Sequence, residues 1–551
     1  MIIEQEYPDL TKWPILLATA GYWVQTLLIL IFLGLGVAVF REVLLRFLDT
    51  WTSRGLGSAL IDLPANIFTG LLDTIRTLAV SVIEVLALPL GYRRIWAIAR
   101  LSIQEAVRRR VLYVLLLFLI PFLFAGWYLS TAEEAQLRIL VSFTNTVMGW
   151  LLLPMVLFVA AMSIPKDLES RTIQTVVTKP VRRLELIVGR VLGFMVVFTF
   201  VIAIMGGISL AYIYSQVTDK VLEDQWTARV PVYASPPQPN AASFAFVKQG
   251  AYSEVGTNVG REWGYRSHIE GDTSDEARWF FTFDPALFAG SDRVKVGVTF
   301  DVFKTTKGSP TLDEDDTSGV WASLDFIDRK DPKNKADEAF RVNNNRVTMI
   351  EIPGSVLKSG ELVVRARCLT RNQFLGMAKH DIYLQAQEQP FESNFLKGMI
   401  SLWLKVLFLT SVAVAASTVL NGFVTVIFTV GVYCMGIFHN FLVQVGAGQT
   451  LGGGPIESAV RLVLQMNQTI ELDPGFFRSL SKTVDPILLY IVGAVGQVIP
   501  DLSTIETAEY VASGFNIPTW LMLRNIILVV GYVVPVLIAG YLLFRNRETA
   551  A

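Results

Sequence analysis

Apolar residues in this chain gather into runs long enough to cross a bilayer, broken by short polar joints and one long polar interval. Pro14–Phe40 holds no charged residue, and as a helix it would measure about 40 Å, enough to span with tilt. Val111–Ser130, Ile139–Ile164, Val191–Tyr214, Phe395–Ser417, Val419–Leu442 and Trp520–Phe544 predict six further spans. Between the third and fourth of these six, Val217–Phe391 changes period. Trp279–Phe283, Val294–Phe303, Gly319–Ile327, Val347–Ile352, Leu362–Leu369 and Asp381–Ala386 alternate as strands do, with turn clusters such as Ile352–Gly354 between them. Strands without intervening helices predict an antiparallel sandwich or jelly roll. Arg229–Asn240, with Pro231, Pro236, Pro237 and Pro239, reads as an extended linker into that domain.

Two stretches fit neither pattern. Residues 56–91 are apolar but interrupted by Asp62, Asp73, Arg76 and Glu84, which suits an interfacial helix or a shallow hairpin. Gly446–Thr519 is acid-rich, and its apolar part, Pro486–Ile499, has the length of a re-entrant segment rather than a crossing.

Charge orients the spans. Arg41, Arg46 and Arg54 follow the first run, and Arg545 and Arg547 follow the last. Lys166–Gly193 carries Lys166, Arg171, Lys179, Arg182, Arg183 and Arg190. Lys and Arg hold short loops on the cytoplasmic side, so 217–394 is expected outside. The predicted organisation is an N-terminal span and flank (1–55), interfacial and elbow helices (56–110), and three core spans (111–216) with a cytoplasmic loop at 165–190. An extracytoplasmic β domain (217–394) and three further core spans (395–551) follow, the latter with an outer re-entrant region at 446–519. Over 551 residues, 52% are hydrophobic and 17% charged, and mean hydropathy is +0.47. That composition predicts a multi-pass protein of the plasma (inner) membrane in contact with lipid. A net charge of -1 gives no reason to expect nucleic acid. Cys368 and Cys434 fall in different environments, so no disulfide framework is expected. The acidic start, MIIEQEYPDLTKW, lacks the basic region of a cleavable signal.

The basic loop has internal structure. Pro165, Asp167 and Glu169 suit the first turn of a short helix, and Thr178-Lys179-Pro180 breaks it. Upstream, Tyr92–Arg110 is a basic amphipathic helix with Arg93, Arg94, Arg100 and the closing run Arg108-Arg109-Arg110, suited to anionic headgroups. Asp167, Glu169, Arg171 and Thr172, then Pro180 and Arg183, then Gly189-Arg190 and Gly193, resemble the first cytoplasmic loop of ABC-2-type transporter permeases, in particular the copper-enzyme-maturation and gliding-motility class. Arg190 stands where those permeases usually have Lys. Ala416–Gly422 is similar to their fourth-to-fifth turn. The resemblance covers residues 92–215 and 396–548, not the N-terminal span or the β domain. It implies a mainly α-helical, six-helix membrane core. It further implies that Asp167, Glu169, Arg171, Thr172, Pro180, Arg183 and Arg190 meet a separate ABC ATPase subunit. Arg93, Arg94, Arg100, Arg108, Arg109 and Arg110 would form an elbow helix, and two permease chains would pair as a homodimer or heterodimer.

The chain has no Gly-x-x-x-x-Gly-Lys-Ser/Thr and no Gly-Lys pair. The phosphate-cradling loop of an ATPase is therefore missing, and no enzymatic activity or cofactor is expected in this chain. ATP belongs on the partner. Copper wants clustered Cys, Met or His, which two Cys and three scattered His do not provide. Asp313–Asp316 has carboxylates for calcium but reads as a solvated turn. Trp226, Trp263, Trp279 and Trp321 are read chiefly as core packing rather than a sugar-stacking surface. Lys405, inside a predicted span, is either functional or paired with water or a carboxylate. The expected function is a permease subunit coupling a partner's ATP hydrolysis to export or to force on the outer domain. The alternative is a non-transporting anchor whose β domain binds a partner or glycan.

Overall fold

A computed structural model of the chain describes residues 52–53, 62–63, 69, 91–108, 111–128, 136–169, 181–218, 226–235, 242–248, 250–259, 265–288, 291–304, 319–450, 452–467, 472 and 475–545. The N-terminal span and nearly all of 56–90 lie outside these residues. The described chain forms two units. Glu223–Asn394 together with Gly514–Asn516 makes a β unit, and the helices before and after make the other.

The helical unit comprises α1 (Tyr92–Arg108), α2 (Tyr113–Tyr128), α3 (Gln136–Ala161), α4 (Ser163–Glu169), α5 (Arg183–Gln216), α6 (Phe391–Ser417) and α7 (Gly422–Ile437). It continues with α8 (His439–Gly446), α9 (Pro455–Leu464), α10 (Phe476–Val498), α11 (Leu502–Ile505), α12 (Ala508–Ala512) and α13 (Thr519–Arg545). Among the described residues, five helical stretches are long and apolar enough to cross a membrane: Gln136–Asp167, Arg183–Gln216, Phe391–Ser417, Phe476–Ala512 and Thr519–Phe544. The chain is a membrane protein.

Two expected spans differ in detail, and the segment expected to be re-entrant, around Pro486–Ile499, is corrected: it belongs to a helical stretch long and apolar enough to cross. The first core run forms a helix of only 16 residues with Pro121 inside. Val419–Leu442 is two helices, α7 and α8, bent by 76° about Phe438. There Gly436 abuts Leu502, and Asn440 donates to Asp501 at 3.4 Å, drawing the chain aside. The helix around Pro486–Ile499 begins ten residues earlier than its apolar run. Arg478, Lys482 and Asp485 recur at helical spacing and ride on α10 instead of ending it. The Asp485 carboxylate accepts from the backbone N–H of Ile456 (2.8 Å) and Glu457 (3.1 Å), capping the start of α9.

The β unit contains β1 (Thr227–Tyr233), β2 (Phe244–Lys248), β3 (Ala251–Ser253), β4 (Ser267–Glu270), β5 (Glu276–Thr282), β6 (Arg293–Thr299) and β7 (Asp301–Lys304). β8 (Trp321–Asp328), β9 (Lys335–Arg341), β10 (Val347–Pro353), β11 (Glu361–Cys368), β12 (Gln373–Met377) and β13 (Ile382–Pro390) complete it. They form antiparallel sheets ordered β1-β13-β6-β10, β3-β2-β5-β11-β8-β9 and β4-β12-β7. Alternate residues of the strands enter one shared core. Ala277, Trp279 and Phe281 come from β5, Leu362, Val364 and Ala366 from β11, and Val294, Val296 and Val298 from β6. Trp279 is wholly buried and satisfies its indole N–H on the Lys379 carbonyl at 2.9 Å.

Five of the six sequence-predicted strands are present as single strands, and Val294–Phe303 is divided into β6 and β7, which belong to different sheets. The Arg229–Asn240 linker is corrected: its first part is β1. Pro231 is tolerated there because β1 is the last strand of its sheet and its pairing shifts between Arg229 and Pro231. Gly514–Asn516 lies along it. Arg229 N–H donates to the Gly514 carbonyl, and Asn516 N–H to the Arg229 carbonyl, both at 2.8 Å.

Cys368 is buried, and burial pushes its thiol up from the ordinary range. In a Cys434→Ser background it should resist a water-soluble maleimide at pH 7–8 until the β unit opens. Phe281→Ala should lower the urea midpoint for that labelling by the equivalent of about 3–5 kcal/mol. Exposed Val255, changed to Ala, should shift it by less than about 0.5 kcal/mol.

Candidate functional site

The residues flanking the basic loop converge where α1 lies along the first turns of α5. Close approach is possible because α5 presents glycine twice, four residues apart. A Cβ on Gly189 would meet Ile98 Cβ at 2.8 Å and the Ile95 carbonyl at 3.0 Å. One on Gly193 would meet the Ala99 carbonyl at 2.5 Å. This is the small-x-x-x-small packing of membrane helices, and α1 answers with buried Ala99, Ser102 and Ala106.

Arg190 lies between these glycines and is buried, 3% exposed. Its Nη1 donates to Glu105 Oε2 of α1 at 2.7 Å and also to Ser163 Oγ of α4. Its Nη2 pairs with Asp167 of α4. One guanidinium thus joins three helices. A second contact lies one turn and a half earlier. Glu185, buried, accepts from the Arg182 backbone N–H at 3.1 Å, and Arg94 Nη2 sits 2.8 Å from its Oε1, an ion pair in distance though off the line of a hydrogen bond. Gly91 leaves room for that carboxylate: a Cβ there would lie 2.3 Å from Glu185 Oε1. At the start of α5, Arg183 Nη1 donates to the Phe544 carbonyl at 2.8 Å, with its guanidinium carbon 5.4 Å from the Phe544 ring centroid. The first turn of α5 is thereby tied to the end of α13.

Of the sequence-predicted residues, Asp167, Arg190 and Arg94 are brought into this assembly, and Arg183 adjoins it. Arg93, Arg100 and Arg108 are exposed on α1. Glu169 ends α4. Arg109, Arg110, Arg171, Thr172 and Pro180 lie outside the described residues, as does the Asp313–Asp316 run. Sequence reasoning missed Glu105, Ser163 and Glu185. The available signal was an acidic residue set inside a cationic helix, as Glu185 is between Arg183 and Arg190.

Lys405 is paired. Its Nζ donates to Glu506 Oε2 at 2.7 Å, and beside it Thr507 Oγ1 donates to Ser401 Oγ at 2.8 Å. The carboxylate meets the lysine about halfway along α6, so the segment after α11 reaches well into the helical unit. Among the described residues, no group of three His, Cys, Asp or Glu could hold a metal ion. Trp279 packs in the core as expected, while Trp321 is 44% exposed.

No protein-family model, curated protein or solved structure matches the chain.

Removing one member of a buried ion network leaves the others uncompensated, which costs about 3–5 kcal/mol. Arg190→Ala should therefore lower the thermal midpoint of the full chain in detergent by that equivalent. Arg190→Lys should recover only part, because lysine cannot reproduce the planar fork. Arg93→Ala, at an exposed position, should stay within about 0.5 kcal/mol of the parent.

Proposed function

We propose that this chain is the membrane subunit of an ABC-2-type transporter, a permease that takes energy from a separate ATPase subunit at Lys166–Gly193. The observation that carries the reading is the three-helix junction at Arg190. A push on the basic loop would act on α4 and on the start of α5, and both are joined through Arg190 to α1. Arg183 would pass the same displacement to the end of α13. Arg190 itself is enclosed, so contact with the ATPase falls to other charged groups of the loop: exposed Lys166 and Arg182, with Glu169 and Arg171 between them in sequence. The missing phosphate loop in the sequence supports a partner that binds ATP. In this reading the basic loop is cytoplasmic, 217–394 lies outside the membrane, and two permease chains act together.

Export and delivery of force to the β unit are both outputs of such an input. The β unit favours the second for a specific reason: it has a core of its own and can receive force as a body.

Capture of an ATP-binding subunit with the tagged chain tests the assignment first, and its absence under mild detergent would overturn it. With the pair in hand, Glu169→Ala combined with Arg171→Ala should uncouple ATP turnover from output by roughly 5- to 150-fold, the span of a 1–3 kcal/mol coupling. The thermal midpoint should be unchanged. Full coupling in that variant would sink the assignment.

A further inference from the structure

Lys405 of α6 and Arg524 of α13 are cations of membrane-length helices, and they are treated differently. Lys405 has Glu506. Arg524 of α13 has no hydrogen-bonded partner among the described residues for Nε or Nη2, both of which are buried. Its guanidinium carbon lies 5.7 Å from the Trp520 ring centroid. Nε and Nη2 form the side edge of the guanidinium, the fork that grips a carboxylate or phosphate through two parallel bonds. A charged group left this way costs several kcal/mol unless an acceptor from outside the chain completes it.

Depth indicates which acceptor. From Asn525 to Phe544 the sequence has twenty residues and no charge, about 30 Å of helix, which is the thickness of a bilayer's hydrocarbon core. Arg524 is therefore the residue at one boundary of that core, with Trp520 one turn further out in the position favoured by interfacial aromatics. It adjoins the lipid-facing stripe of α13, where Leu523, Ile527, Val530 and Val534 are exposed at helical spacing.

We propose that Arg524 holds the phosphodiester of an anionic glycerophospholipid at this boundary. Its Nε–Nη2 edge donates to two phosphate oxygens, and Trp520 covers the guanidinium. Arg524 is only partly buried as a residue, so a change of rotamer turns that edge toward the Leu523–Ile527 stripe. The site depends on α13 crossing the membrane and not on the transport reading.

Native mass spectrometry of the full chain in neutral detergent, titrated with phosphatidylglycerol, tests it. Arg524→Gln should weaken the tightest phosphatidylglycerol by roughly tenfold or more. Arg138→Gln, which removes an exposed arginine of α3 (64% side-chain exposure), should not. Without lipid, Arg524→Gln should melt no lower than the parent, and it should lose the rise in melting temperature that phosphatidylglycerol produces. Equal binding by parent and Arg524→Gln overturns the proposal, as does an equal loss in Arg138→Gln. A lower lipid-free midpoint for Arg524→Gln would reveal an internal partner and overturn it too. Glycerol 3-phosphate displacing the lipid at matching concentration would assign the site to soluble phosphates instead of lipid.

Discussion

The helical unit depends on a buried guanidinium that has more negative neighbours than its own charge requires. Arg190 faces Glu105 and Asp167, and Ser163 adds a hydroxyl. Taking a guanidinium and much of two carboxylates out of water is expensive, and such networks hold together only when geometry is good and every partner is present. That requirement makes the junction specific: α1, α4 and α5 can share it in one arrangement. Gly189 and Gly193 are its precondition, because side chains there would hold α1 away from α5 and leave Glu105 out of reach.

The same combination of small residues and satisfied polar groups recurs elsewhere in the unit. Gly540 of α13 packs on Ala415 of α6, and Gly446 of α8 lies against Gly493 of α10. Lys405 meets Glu506, and Asn525 donates to the Thr504 carbonyl at 3.3 Å. In lipid the apolar effect does not distinguish helix from solvent, so close packing and paired polar groups set the arrangement. Arg524 departs from the pattern at the level where headgroups replace hydrocarbon. A cation halfway along a span needs a partner within the chain, whereas one at the boundary has phosphates within reach.

What the sequence revealed follows from how local each signal is. β5, β6, β8, β11 and β13 were legible because both neighbours of a central strand enforce alternation, and β10, at a sheet edge, because Ile350 and Ile352 alternate with exposed residues. β1 was hidden by Pro231, which a sheet edge accepts, and β9 by its charges, since KADEAFR runs along the solvent-facing edge. The Arg190 junction was half legible. Charge and glycine spacing marked Arg190 and Asp167, but nothing local separates an arginine that is enclosed from one that is presented. Glu105 is 85 positions away, and only the α1–α5 contact makes it a partner.

Helix continuity decides how far a displacement at that junction can travel. Proline interrupts α2 at Pro121, α3 at Pro154, α10 at Pro486 and α13 at Pro535. Each is a place where a span can flex, because a backbone hydrogen bond is missing. α5 and α6 contain none. α5 runs for 34 residues, about 51 Å, from the Arg183 and Arg190 contacts to Gln216, whose carbonyl accepts from Gln136 Nε2 at 2.9 Å. In sequence it is the helix that leads into the β unit, and α6 leaves β13 without a linker. The entering and leaving chains meet within the β unit, where Trp226 packs on Phe391 at 4.5 Å and donates to Glu392 at 2.7 Å. A rotation imposed at the foot of α5 would therefore meet no proline along its length. Among the five membrane-length helices described, the two without proline are the two that adjoin the β unit in sequence.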